Sequence, residues 1–288
     1  MSELQNGDPV LLEVDGLVVR FKGKHRLARP AQVLNGVSLA IEAGETLGLV
    51  GESGSGKTTI GRAILGLVPA AEGSIRFDGN DITRARGRDR RALGRDLQVV
   101  FQDPYGSLNP SRTSGDTLAE PLSGTGVSKR DARKRVSELL DRVHLPNDAM
   151  DRLPREFSGG QRQRVAIARA LALEPKLIVC DEPVSALDLS TQARVLDLFA
   201  EIQRDTGVAY LFISHDLDVV RHVSDRVAVL YRGDIVEEGP AEKVTSTPDH
   251  PYTQRLLLAS PVPDPDQQAQ RRADWRALFE QTGSWRLA

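Results

Sequence analysis

One cysteine, Cys180, stands in a chain of 288 residues. A lone thiol cannot close an intramolecular disulfide or build a cysteine-rich metal site, which suits a reducing compartment. Long hydrophobic runs are missing too. Those at 177–180 and 227–231 are strand-sized, far below the ~20 residues of a membrane-crossing helix. Residues 1–9 are polar and acidic, with no basic stretch leading into an apolar one, so no secretory signal is expected there. Neither sign of charge dominates. A formal net charge of −2 and a pI of about 6.2 give no whole-molecule attraction to nucleic acid or anionic lipid. Aromatics are only 5% of the chain, and none interleaves with the arginines of the 84–95 stretch as a nucleic-acid groove would require. That stretch reads as the solvated face of a helix. The rest is ordinary: with 40% hydrophobic and 27% charged residues, the chain can bury one large α/β core or two modest domains.

The most informative stretch runs from Gly51 through Glu52, Ser53, Gly54, Ser55, Gly56, Lys57 and Thr58 to Thr59, after an apolar run at 46–50 and before a helical pattern at 60–67. Strand, glycine-rich turn and helix in that order make GxxxxGK[ST] a phosphate-binding loop, because glycines let successive backbone N–H groups converge on phosphate oxygens. The helix N-terminus adds its partial positive charge. In such loops the lysine, here Lys57, reaches the β- and γ-phosphates and the hydroxyl of Thr58 coordinates Mg²⁺. Thr59 falls in the first helical turn.

A second anion site is legible at Ser158, Gly159 and Gly160, a helix start that runs into the alanine-rich helix expected over 165–173. Before the first, 11–21 reads as strands punctuated by Asp15-Gly16; between the two, 97–101 reads as a buried strand ended by Gln102-Asp103-Pro104 and 128–143 as an amphipathic helix with Ser128 as its cap. At 177–183 four apolar residues run into Asp181, Glu182 and Pro183, and the proline ends the strand. In an open parallel sheet, ligands bind outside the C-terminal strand ends, which sets these carboxylates beside the phosphate loop. Asp181 suits a Mg²⁺ shell and Glu182 the polarisation of an attacking water. Cys180, one residue earlier, reads as a core thiol. His215 follows the apolar strand 209–213, so it belongs to the same sheet edge. Ser185 to Asp188 leads into a helix over 192–205, and 226–231 with 234–238 forms a hairpin. Phe21, at a strand end, is either core filler or a stacking face, and its position does not decide. From Pro248 the chain becomes a proline-punctuated tail, with helices expected at 256–259 and 267–279.

In combination, order and spacing, these motifs closely resemble the nucleotide-binding subunits of ABC transporters over residues 11–265. The resemblance implies a P-loop NTPase of α/β class with an antiparallel β subdomain and an inserted helical subdomain. The ATPase domain would cover 1–248 with its helical part at about 104–160, and a C-terminal extension 249–288. Phe21 resembles the adenine-stacking aromatic and Gly51 to Thr58 the Walker A loop, and the implied ATP contacts are Phe21, Gly51, Ser53, Gly54, Ser55, Gly56, Lys57, Thr58 and Thr59. Gln102 resembles the glutamine that senses Mg²⁺ and the transmembrane partner, Ser158 to Gln161 the signature motif, and Asp181 and Glu182 the Walker B pair. Asp188 matches the D-loop aspartate and His215 the switch histidine at the γ-phosphate. In the family, ATP lies between the Walker A loop of one subunit and the signature of another, so Ser158, Gly159, Gly160, Gln161 and Asp188 would act in trans. The implied catalytic set is Glu182, His215, Lys57 and Gln102, with Thr58, Gln102 and Asp181 around Mg²⁺.

Residues 101–110, 181–188 and 250–254 are similar to the ATPases of bacterial dipeptide and oligopeptide importers, in their second-subunit type. That implies a second ATPase subunit, two membrane permeases, an extracytoplasmic substrate-binding protein, no nucleic acid, and a peripheral place at the cytoplasmic face of the inner membrane. Cargo such as nickel, glutathione or an opine-like metabolite remains an alternative, because the permease and receptor choose it. A soluble ATPase acting on nucleic acid or ribosomes usually carries two cassettes or a coiled-coil insertion, whereas this chain has one set of motifs. Two departures stand out. Ser111 occupies a position where arginine is common, and the extension lacks the cysteine cluster of many relatives, so no iron–sulfur cluster is expected.

Overall fold

The structure, a computed structural model, describes residues 10–21, 30–103, 106, 108–124 and 126–259. Residues 22–29, most of the stretch 22–30 that reads in the sequence as a basic loop, and the expected helix at 267–279 lie outside them. In chain order the strands are β1 (Val10–Phe21), β2 (Ala31–Glu42), β3 (Thr46–Val50), β4 (Glu72–Phe77), β5 (Asn80–Asp81), β6 (Leu97–Val100), β7 (Leu177–Asp181), β8 (Ala209–Ser214), β9 (Arg226–Tyr231) and β10 (Asp234–Pro240). The helices are α1 (Lys57–Ile64), α2 (Gly87–Asp96), α3 (Ser114–Ala119), α4 (Lys129–Arg142), α5 (Gly159–Leu171), α6 (Leu189–Thr206), α7 (Leu217–Val223), α8 (Ala241–Ser246) and α9 (Pro251–Ala259), with short 3₁₀ turns between α3 and α5.

Two sheets form. Strands β2-β1-β4-β5 make an antiparallel sheet, and β10-β9-β3-β8-β7-β6 a second one in which β3, β6, β7, β8 and β9 run parallel and β10 closes as the antiparallel hairpin partner of β9. The central strands are apolar throughout because both faces are covered, and alternation divides them between two cores. Leu47, Leu49, Leu177, Val179, Leu211, Ile213, Ala228 and Leu230 face the antiparallel sheet and α1. Val50, Ile178, Cys180, Tyr210, Phe212, Val227 and Val229 face the helical side, where Phe199 of α6 meets Tyr210 and Phe212 edge-on at 5.4 Å each. The helices of 114–171 add Leu118, Val136, Leu139, Leu140 and Val165 to that core.

Local readings need two corrections. Asp15-Gly16 does not break the first strand: β1 runs on through a register shift between Val14 and Leu17, with Gly16 at φ 58° and its N–H donating to Ser38 Oγ at 2.9 Å. The bulge absorbs the turn-forming residues while both flanks stay paired to β2. Arg90 does not belong to a wholly solvated face. It donates from Nε to Leu65 O at 2.8 Å and from Nη2 to Ile64 O, so it serves as a cationic cap on the C-terminal end of α1, and burial lowers its pKa.

Candidate functional site

Parallel pairing brings the C-terminal ends of β3, β6, β7 and β8 to one edge, and each delivers part of the site there. After β3 the chain turns at Gly51, φ 155°, where a Cβ would lie 2.2 Å from Leu230 O, so no larger residue fits. Gly56, left-handed at φ 114°, caps α1 without a side-chain bond and leaves the helix N-terminus open to an anion. Lys57 is buried at 4% exposure, its ammonium donating to Gly51 O at 2.6 Å and Glu52 O at 3.0 Å. Burial lowers its pKa against the opposing pull of Glu182, Asp181 and Glu52. Ser55 Oγ is buried without a hydrogen-bond partner, an orphaned polar atom in the loop wall.

Asp181 ends β7. Its Oδ1 accepts from the Thr58 hydroxyl at 2.8 Å, and burial raises its pKa against that bond. Glu182 follows at φ 49°, left-handed and unusual for glutamate, with its N–H bonded to Ile213 O at 3.0 Å. Its Oε2 lies 3.2 Å from Gln102 Nε2 and 3.2 Å from His215 Nδ1, so glutamine, carboxylate and imidazole from three strand ends converge. Gln102 also donates to Ser185 Oγ at 3.2 Å, and Ser185 donates to Glu182 O at 3.0 Å. Ser185 was not singled out in the sequence; a hydroxyl two residues after Pro183 carries no signal until the turn is folded.

Phe21 is 43% exposed at the end of β1, which removes the core-filler reading. Ser158 caps α5 in a capping box: its Oγ accepts from Gln161 N at 3.3 Å, and Gln161 Oε1 accepts from Ser158 N at 3.0 Å. This helix packs on β6, α3, α4 and α6, and α1 packs on β2, β7 and β8. The two anion-ready helix starts thus rest on different neighbours. Gly160 abuts α6, where a Cβ would lie 2.2 Å from Thr191 Cγ2. Asp188 caps α6, accepting from Ser190 Oγ at 2.7 Å, Thr191 N at 2.9 Å and Thr191 Oγ1 at 2.8 Å, which hold its pKa down at about 2.

A loop built for phosphate beside a hydroxyl, two carboxylates, an amide and an imidazole is the constellation of a nucleotide hydrolase. Residues 34–185 match the family model described as ABC transporter. The chain belongs to the ABC transporter ATP-binding family. Residues 236–282 match a second model, the oligopeptide/dipeptide transporter C-terminal region, which places the chain among the ATPases of the dipeptide and oligopeptide importers. Over 274 residues it is 48% identical to the oligopeptide transport ATP-binding protein OppF of Escherichia coli (strain K12), covering 92% of this chain and 82% of that one. It is 51% identical over 260 residues to the glutathione import ATP-binding protein GsiA of Pectobacterium atrosepticum, covering 88% of this chain but 42% of that longer one. A solved structure, the ATP-binding cassette MJ0796 as a post-hydrolysis dimer bound to ADP and Pi, is similar with a TM-score of 0.72 and 29% identity over 80% of this chain and 99% of that one. Among the described residues, no helix of this ABC cassette is long and apolar enough to cross a membrane.

Proposed function

We propose that this chain is the ATP-binding and hydrolysing subunit that powers import of di- or oligopeptides through a membrane permease pair. The observation that carries the chemistry is the convergence of Gln102 and His215 on the Glu182 carboxylate, one residue beyond an Asp181 already bonded to Thr58. ATP is the substrate. Lys57 exchanges its two carbonyl partners for the β- and γ-phosphates, and the loop N–H groups with the α1 N-terminus hold the phosphate oxygens. Glu182 takes the proton of an attacking water, held in place by Gln102 on one side and His215 on the other. Phe21 offers its exposed ring to the adenine.

Thr58 and Asp181 fit Mg²⁺, which prefers hard oxygen ligands and takes one or two carboxylates, substrate phosphates and water. Gln102 is in reach of the same edge through its bond to Glu182. The ion, when bound, neutralises charge on the phosphoryl group. Ser158, Gly159, Gly160, Gln161 and Asp188 serve the ATP of a second cassette in trans, a reading supported by the dimeric state of the MJ0796 cassette. The partners are a second ATPase subunit, two permeases at the cytoplasmic face of the membrane, and a receptor that delivers the cargo. Peptide cargo is favoured by the match at 236–282 and by the span of the OppF relative, and glutathione is the second reading because of the GsiA relative.

Glu182→Gln tests the assignment. The variant binds ATP with wild-type affinity while steady-state turnover falls by at least ~100-fold, within the range for a lost general base. Phosphate release at the wild-type rate removes Glu182 from the proton transfer.

A further inference from the structure

We propose that Tyr252, in the segment following the cassette, is a positioning residue of the nucleotide site that sets the Gly51–Glu52 peptide plane of the phosphate loop. This rests on the reading of that loop as the ATP site. The Tyr252 hydroxyl accepts from the Glu52 backbone N–H at 2.9 Å, across 200 positions of sequence. The carbonyl of the same peptide unit, Gly51 O, accepts from Lys57 at 2.6 Å. One peptide plane is therefore held on its N–H side by Tyr252 and on its C=O side by the lysine that serves the phosphates. When Lys57 turns to the phosphates it releases Gly51 O, and the tyrosine bond stays to fix the plane. The loop backbone also passes close to β9 here, since a Cβ at position 51 would lie 2.2 Å from Leu230 O.

Tyr252 is built to hold this position. It is 2% exposed, its ring packs on Tyr231 with centroids 4.2 Å apart at 38°, and the Arg255 guanidinium lies over the Tyr252 ring, 5.5 Å from its centroid. Tyr231 ends β9, the strand that carries Leu230, so the ring supporting Tyr252 and the carbonyl closest to Gly51 share one element. The turn before α9 is pinned as well. Glu237 of β10 accepts from Asp249 N at 2.7 Å and His250 N at 3.2 Å, and His250 Nδ1 accepts from Tyr252 N at 3.1 Å. The segment matched as an oligopeptide-transporter C-terminal region thus reaches into the nucleotide loop through one hydroxyl.

Tyr252→Phe removes that hydroxyl and keeps the ring. With the full chain, ATP titrations on wild type, Tyr252→Phe and Lys57→Ala separate the possibilities, read together with melting curves in the presence and absence of ATP. The expected result is a several-fold rise in the ATP dissociation constant and in KM for Tyr252→Phe, a kcat within ~2-fold of wild type, and a smaller ATP-induced rise in Tm, the size expected for one net hydrogen bond. An ATP-free Tm that falls while the dissociation constant and KM stay at wild type makes Tyr252 structural only and overturns the proposal, as does no change in any readout. Should the wild type itself bind no ATP, the reading of the loop fails first. If wild type binds and Lys57→Ala does not, failure of Tyr252→Phe to weaken binding counts against Tyr252 alone.

Discussion

Phe21 shows what a single residue's position settles. A strand-end phenylalanine is compatible with a core and with a binding face, and only folding distinguishes them. At 43% exposure the ring has no enclosing partner to replace water on its outer side, so truncation costs little folding energy and any loss must appear when a ligand covers it. Phe21→Ala therefore weakens ATP binding by about 1 kcal/mol, on the scale of an aromatic pair. That is ~5-fold in the dissociation constant. Isothermal titration measures it, and an unchanged constant rules out stacking on the base. Glu182 is the opposite case: its residue type announces a role, but its left-handed backbone, φ 49°, is invisible in sequence because glutamate has no preference for that region. The bond from its N–H to Ile213 O holds the conformation, so β8 helps aim the β7 carboxylate.

At the scale of elements, helix α6 depends on a charged cap. Asp188 accepts three hydrogen bonds from Ser190 and Thr191, and they depress its pKa from the ordinary 3.8 to about 2. A carboxylate depressed by folding stabilises the fold fully above about pH 4 and loses that contribution as the pH falls through its folded value of about 2, because the unfolded chain takes up the proton first. Asparagine caps a helix nearly as well but does not titrate. The Tm gap between wild type and Asp188→Asn therefore has its full value near neutrality and closes between about pH 4 and about pH 2, since all other carboxylates are common to both proteins. Thermal melts across that range measure it. A gap that stays constant with pH shows that the ionised carboxylate contributes nothing to the cap.

The same scale explains what was legible. Strands β3, β7 and β8 announce themselves as apolar runs ending in Gly51, Asp181 and Ser214, because a strand covered on both faces has no room for polar residues until it leaves the sheet. Order along the chain then put Lys57, Glu182 and His215 at one edge before any coordinate was known. The caps of α4 and α5 are short-range patterns and equally readable, whereas Asp188 reads in the sequence only as the D-loop residue and not as the cap of α6; α5 and α6 start earlier than periodicity suggests because Gly159, Gly160 and Leu189 carry no apolar-face signal. What sequence could not show depends on distant partners. Arg90 looks like any other arginine of its helix until α1 ends beside it. Tyr252 looks like a tail residue until it meets Glu52.

At the scale of the molecule, the proposed function pairs the two anion-ready helix starts at Gly56 and Ser158 with those of a second cassette and sets both cassettes on membrane permeases. In that proposal coupling to transport runs through protein contacts, and no helix among the described residues is long and apolar enough to cross a bilayer. A net charge of −2 leaves no bulk electrostatic attraction that would bring nucleic acid along instead. Affinity purification of the tagged full chain from gently solubilised membranes is therefore expected to yield a second ATPase and two multi-span permeases. Lys57→Ala should retain the two permeases, because the proposed role of the phosphate loop is toward ATP and the second cassette. The receptor that accompanies the permeases, loaded with peptides or with glutathione, separates the two cargo readings. A wild-type chain recovered without permeases, bound instead to nucleic acid or ribosomes, overturns the transport role and leaves the hydrolytic site intact.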